Sequence, residues 1–196
     1  MKNLALFDFD GTITTKDTFL EIIKFKVGKK SFYFGMFLLS PFLAAFKLKI
    51  YPNWKAKERV LTYFFKGVPQ EEFDQLCQAF IAKEITGMIR PKALEAIQKH
   101  KEEGDEISIV SASAENWVKL WCDKMGLKCI GTKLEVKEGK ITGKLATKNC
   151  YGQEKVNRVK EIYQIENYSS IFGYGDSDGD KELLAFVSTP GFRAFE

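Results

Sequence analysis

Leu4-Ala5-Leu6-Phe7 is an unbroken apolar run that stops at Asp8, and Asp10 follows two residues later. A short apolar run bounded by polar residues predicts a fully buried strand of the parallel kind over 3–8. From about Thr15 to Arg90 the apolar period becomes helical. Thr18-x-x-Glu21 has the form of a capping box. Asn53 precedes an apolar face of Val60, Leu61, Phe64 and Phe65, which Gly67 closes. Pro69 opens a further helix with Phe73, Leu76, Phe80 and Ile81 on one face. No strand pattern interrupts this span.

Alternation then resumes. Pro91–Glu103 reads as a helix with Leu94 and Ile97 inward, and 106–111 (EISIVS) as a short strand. Residues 115–125 form a helix closed by Gly126. Residues 128–136 are extended, and Glu138-Gly139 turns the chain into a strand over 140–145. A helix over 155–163 points Val156, Val159 and Ile162 inward. A buried strand over 169–174 and an edge strand over 192–195 complete the chain. Strands alternating with helices predict an α/β fold, a doubly wound (Rossmann-like) parallel sheet. The all-helical block 15–90, inserted after the first strand, predicts a cap over a core of 1–14 and 91–196. Such sheets bind ligands at the carboxyl ends of their strands, where Asp8, Ser111 and Asp176 are all predicted to lie.

Ser31–Phe46 carries no charge, and lysines flank it at 29, 30, 47 and 49. It falls short of the ~20 residues of a spanning helix, and Pro41 interrupts it. Two readings stay open: a buried hairpin of the helical block, or a segment that lies on an anionic membrane through 29–49. Composition narrows the rest. Apolar residues make up 45% and charged residues 29%, as in globular proteins, and a net charge of +4 is too small to imply nucleic acid. Four cysteines without C-x-x-C spacing, after an N-terminus with no signal-peptide pattern, read as reduced thiols of a cytoplasmic protein, peripheral at the membrane if 29–49 binds it. His100, among charged neighbours, reads as a solvated helix end, so a zinc site lacks ligands.

A second acidic group is Gly173-Tyr174-Gly175-Asp176-Ser177-Asp178-Gly179-Asp180. A calcium loop starting at Asp176 would need Gly at its sixth position and Glu at its twelfth, where Lys181 and Val187 stand. What remains is two acidic loops after buried strands, with Ser111 and Lys155. Those groups suit phosphoryl transfer: carboxylates for magnesium, a carboxylate nucleophile, a second acid for the proton, and a hydroxyl and a lysine for the phosphate oxygens.

Asp8-Phe9-Asp10-Gly11-Thr12, Ser111 after the next core strand, Lys155 opening a helix, and Gly175-Asp176-Ser177-x-x-Asp180 occur in that order. Together they resemble the four motifs of the haloacid dehalogenase superfamily, in its phosphoserine phosphatase-like branch (subfamily IB) with a C1 cap. The resemblance implies a magnesium-dependent phosphatase that forms an aspartyl-phosphate on a phosphomonoester. Asp8 would be nucleophile and metal ligand, and Asp10 the general acid/base with its carbonyl on the metal. Gly11, Ser111, the Ala112 N–H and Lys155 would hold phosphate. Asp176 would ligate magnesium directly, and Asp180 would support the metal shell or Lys155. Asp178 reads as a surface or cap acid. Gly179 departs from phosphoserine phosphatases, which often carry an amide side chain there. Asp17 and Arg59 stand where that branch meets the substrate's ammonium and carboxylate. The apolar cap segment is instead similar to phosphatidylglycerophosphate phosphatase-like members, which implies a lipid or amphiphilic phosphate. Phosphoserine or another small metabolite is the alternative, and a retired, membrane-associated binding module is the alternative of another class.

Overall fold

The computed structural model describes residues 2–196. Five strands form one sheet: β1 (Lys2–Phe7), β2 (Glu106–Ala114), β3 (Lys128–Thr132), β6 (Tyr168–Gly175) and β7 (Thr189–Phe192), in the order β3-β2-β1-β6-β7. Every neighbouring pair is parallel. A separate antiparallel ribbon joins β4 (Leu134–Lys137) to β5 (Lys140–Leu145). Side chains alternate across β1. Leu4 and Leu6 enter an apolar cluster with Val110, Val156 and Val159, and Ala5 and Phe7 enter another with Ile109 and Trp117. The sheet is therefore covered on both faces, which is why β1 is apolar at consecutive positions. The chain leaves β1 toward β2 on one side and returns to β6 on the other, so the strand order reverses between β1 and β6, and the acidic loops follow these two strands.

Among the described residues seven α-helices accompany the sheet: α1 (Thr18–Lys47), α2 (Asn53–Phe65), α3 (Gln70–Lys83), α4 (Pro91–Glu102), α5 (Glu115–Met125), α6 (Gln153–Ile162) and α7 (Lys181–Phe186). The chain enters and leaves the segment carrying α1–α3 through paired backbone: Thr15 N–H donates to Met88 O at 2.7 Å and Arg90 N–H to Ile13 O at 2.8 Å. The apolar cluster runs without a break from Phe7 and Trp117 to Ile22, Phe65 and Phe73 of these helices.

The hairpin reading of 31–46 is wrong. α1 runs through it as helix, broken only at Gly28, whose φ of 77° and ψ of 158° are open to glycine and strained for other residues. Pro41 is tolerated on an exposed turn near the helix end. Past the break, Phe32, Gly35 and Leu39 face inward, while Tyr33, Phe34, Phe37 and Leu38 are exposed. Gly35 is needed there, since a Cβ would lie 2.5 Å from Phe64 of α2. Asp17 rather than Thr18 caps α1, accepting from Leu20 N–H at 3.2 Å. No side chain caps α2. Leu94 and Ile162 are exposed, and His100 and Tyr163 take the inward positions. The edge strand lies three residues earlier than the hydrophobic pattern suggests, at Thr189–Phe192.

His100 is buried, not solvated. It bridges Asp105 at 2.7 Å and the Tyr174 hydroxyl at 2.9 Å, and Asn3 donates to Asp105 at 3.0 Å. Phe7 stacks on Tyr174 at 4.4 Å. This polar chain ties α4 to the two strands that precede the acidic loops.

Candidate active site

Asp8 follows β1 with its N–H bound to Tyr174 O of β6 at 2.9 Å. Its side chain is buried, and Lys155 Nζ donates to Asp8 Oδ1 at 2.5 Å and to Asp180 Oδ1 at 2.6 Å. Lys155 comes from the first turn of α6 and is 2% exposed. The other Asp180 oxygen accepts from Asp176 N–H (3.2 Å), Ser177 N–H (3.1 Å) and the Ser177 hydroxyl (2.9 Å). Both oxygens of Asp180 are thus committed to protein donors, and they lock the loop after β6. Asp176 faces Thr12, whose hydroxyl donates to it at 3.1 Å. Gly11 lies beneath Asp176 with φ of 85°, and a Cβ there would sit 2.4 Å from Asp176 Oδ2. Only glycine lets the two loops come this close.

Asp10 points to the start of α1. Its Oδ1 accepts from the Thr18 N–H at 2.6 Å and the Thr18 hydroxyl at 2.5 Å, and its Oδ2 from Ser111 at 3.3 Å. Trp117 Nε1 donates to the Thr18 hydroxyl at 3.0 Å, which fixes that contact. Because β2 runs on to Ala114, Ser111 lies inside the strand and is fully buried, beneath the cavity rather than at a strand end. Ala112 and Ser113 form the wall, and Ser113 N–H donates to Ser111 Oγ at 3.0 Å.

A cavity of about 500 Å³ opens over these groups. Asp8, Asp10, Asp176 and Lys155 form one end, and Met36, Leu43 and Phe46 of α1 form an apolar wall. Asp17 lies at the cavity and Arg59 does not. Arg59 is on α2 with its guanidinium 4.8 Å from the centre of the Phe42 ring. Residues two apart on a helix face different ways, and Lys57, not Arg59, lines the cavity. Its Nζ donates to Ala112 O at 2.5 Å and to Asn149 Oδ1 at 3.2 Å. Sequence reasoning misses Lys57, Thr12, Thr18 and Tyr151. Of these, only Thr12 carries a signal, as the last residue of the first acidic motif.

The charge balance is uneven. Burial pushes the Asp8 carboxyl up to about 8 against the pull of Lys155, with Asp180 and Asp10 adding to the rise. Burial also raises Asp176, against the Thr12 hydrogen bond. Burial opposes charge on Asp180 too, but Lys155 and the Ser177 donors outweigh it and hold that carboxyl below its usual range. Burial opposes the charge of Lys155 as well, yet Asp8 and Asp180 keep it protonated and raise its pKa. Asp17 has exposed surface but is surrounded by protein, and that crowding, with the Asp10 charge, pushes it up to about 6. Burial lowers Lys57, against Asp17 and Asp10.

Asp8, Asp176 and Asp180 bring carboxylate oxygens within 4.8 Å of one another. Lys155 alone does not balance them, and their mutual repulsion adds to the rise that burial causes at Asp8 and Asp176. A hard divalent cation with oxygen ligands relieves that excess, and the all-oxygen donor set suits magnesium rather than zinc. Asp8 and Asp176 are the carboxylates with oxygens to offer.

A family model described as haloacid dehalogenase-like hydrolase matches residues 5–185. Protein CicA of Caulobacter vibrioides is 32% identical over 194 residues, covering 98% of this chain and 86% of that protein. A histidinol-phosphatase of Neisseria meningitidis serogroup C is 26% identical over 204 residues, covering 97% and 89%. A substrate-bound phosphoserine phosphatase shares the fold with a TM-score of 0.70 at 20% identity, over 97% of this chain and 85% of that one.

Proposed function

We propose, for a chain that belongs to the haloacid dehalogenase-like hydrolases, that this phosphatase is a magnesium-dependent phosphomonoesterase that works through an aspartyl-phosphate. The observation that carries the reading is the buried group in which one lysine spans Asp8 and Asp180 while Asp176 stands opposite, at the point where strand order reverses.

An Asp8 oxygen attacks phosphorus and the bond to the leaving oxygen breaks. Asp10 gives that oxygen a proton through Oδ2, the oxygen that holds only the long Ser111 contact. In the second half Asp10 takes a proton from water, which attacks the aspartyl-phosphate and releases phosphate and Asp8. Lys155 holds Asp8 in position and offsets charge on the transferring group. Ser111 orients Asp10, and the Gly11 and Ala112 backbone borders the phosphate. Asp8, Asp176 and the Asp10 carbonyl, with Asp180 behind them, would hold magnesium, which would supply positive charge beside the phosphate.

Residues 15–90 act as the cap over a core of 1–14 and 91–196. The apolar wall of Met36, Leu43 and Phe46 favours a lipid or amphiphilic phosphate such as phosphatidylglycerophosphate. The exposed Tyr33, Phe34, Phe37 and Leu38 between lysines 29, 30, 47 and 49 favour contact with an anionic membrane. Among the described residues no helix is long and apolar enough to cross one. Asp17 and Lys57 support a second reading, in which a small amino-alkyl phosphate such as phosphoserine meets both charges.

The test is phosphate release with magnesium and with EDTA on phosphatidylglycerophosphate, lysophosphatidate, phosphoserine and sugar phosphates. Metal-dependent turnover that is fastest on the lipids is expected. Equal rates with EDTA would remove the magnesium mechanism, and a clear preference for phosphoserine would replace the lipid reading.

A further inference from the structure

Tyr151 and Gly179 compete for one volume. A Cβ on Gly179 would lie 2.5 Å from Tyr151 Cε2 and 2.8 Å from Cδ2, so the ring packs directly on the Gly179 backbone. The two loops are also joined through their backbones: Gly152 N–H donates to Gly179 O at 2.9 Å, from a turn with φ of 60° at Gly152. The ring thus rests on a loop that is tied to its own, yet it remains 38% exposed.

Tyr151 borders two openings. Tyr151 lines the same cavity as Asp8, Asp10 and Lys155. It is also a wall of a neighbouring cleft of about 570 Å³, with Trp54, Leu145 and Asn149. Among the described residues no hydrogen bond holds its hydroxyl. The acidic end of the cavity offers carboxylates and one ammonium, groups that handle phosphate and metal. A phenol is neutral at physiological pH and can both donate and accept. The part of a phosphomonoester that extends from the acids toward α2 and the cleft is its leaving group.

We propose that Tyr151 is a specificity-determining residue whose phenol hydrogen-bonds a hydroxyl or ester oxygen of the leaving group, and that Gly179 lacks a side chain so that the ring can stand there. The inference rests on the phosphatase reading of the cavity. It makes the enzyme selective for oxygenated leaving groups over purely alkyl ones, independently of how the apolar wall is used.

The experiment compares glycerol 3-phosphate with propyl phosphate, which matches it in chain length and lacks the hydroxyls. Tyr151→Phe keeps the ring and removes one hydrogen bond. The ratio of kcat/KM between the two substrates is expected to fall about fivefold, the effect of one neutral hydrogen bond. An unchanged ratio in an active variant overturns the proposal alone. Wild-type turnover on the wider panel but on neither of these two overturns the proposal alone, and no hydrolysis of any panel phosphate overturns the phosphatase reading and the proposal together. A second arm reads the pairing by thermal melting: Gly179→Ala lowers Tm in the wild type and not in a Tyr151→Ala background. Equal losses in both backgrounds show that ring and glycine are not coupled, and the proposal falls.

Discussion

Replacing Asp8 by Asn makes the metal-free protein more stable at alkaline pH while abolishing turnover. Burial raises the Asp8 carboxyl from 3.8 to about 8. Well below pH 3.8 it is neutral in the folded and unfolded chain alike and costs nothing. As pH rises toward 8 the unfolded chain releases the proton while the folded chain holds it, so stability falls across that window and is lowest above it. At about 1.36 kcal/mol per pH unit the loss is at most about 6 kcal/mol. The Asp8→Asn variant escapes it, because the amide stays neutral at every pH, and the pull of Lys155 is already contained in the raised value. Lys155 stays paired through Asp180 at 2.6 Å, so no buried charge is stranded. The gain is at most about 6 kcal/mol, or roughly 12–24 °C in Tm for a chain of this size. Thermal melts of both proteins in EDTA at about pH 4 and about pH 8.5, at the two ends of that window, measure it. The variant is expected to melt higher at the alkaline pH, with little difference at the acidic one. Adding magnesium reverses the order at the alkaline pH, because the wild type gains a metal ligand that the variant has lost. A variant that melts below the wild type in alkaline EDTA, or a gap that does not change with pH, would refute the electrostatic reasoning.

Gly11→Ala places a methyl 2.4 Å from Asp176 Oδ2 at a positive φ and costs about 2 kcal/mol or more; it also weakens magnesium binding, measured by calorimetry, and unchanged affinity would count against the close approach. Lys57→Ala, at the cavity, lowers kcat/KM on doubly anionic substrates at least tenfold, whereas Arg59→Ala, packed on Phe42 outside it, stays within twofold; the reverse order would restore Arg59 as the substrate cation. Phe37→Glu, on the exposed face of α1, reduces co-sedimentation with anionic vesicles and shifts Tm by less than about 2 °C, as expected of a surface change; binding equal to wild type would exclude that face as the membrane contact.

The fold is legible where local pattern and tertiary demand agree. β1 reads as buried because both sheet faces are covered, and the acids follow it because strand ends border the ligand edge. Ser111 is found as a residue but misplaced, since nothing in EISIVSASA marks where pairing stops. His100 is misread because its partners Asp105 and Tyr174 only meet it in three dimensions, and a charged sequence neighbourhood says nothing about the inward face of α4. Arg59 is named through the family resemblance alone, and Lys57, two residues and about 200° away on α2, lines the cavity instead. The stretch 31–46 is read as interrupted because Pro41 looks like a break, although α1 runs through it and carries the proline on an exposed turn.

Gly28 has no atom within 4 Å of where a Cβ would stand, and it divides α1 into lengths under different constraints. The first length, 18–27, is bound to the chemistry through the contact of Thr18 with Asp10. The outer length, 29–47, supplies Met36, Leu43 and Phe46 to the cavity and holds no bond to an acid of the site. Substitutions in the outer length can therefore accumulate without disturbing the nucleophile. A lineage can change what it dephosphorylates by redrawing one rod beyond a glycine, which makes 29–47 the segment to exchange between relatives when the aim is to transplant substrate preference.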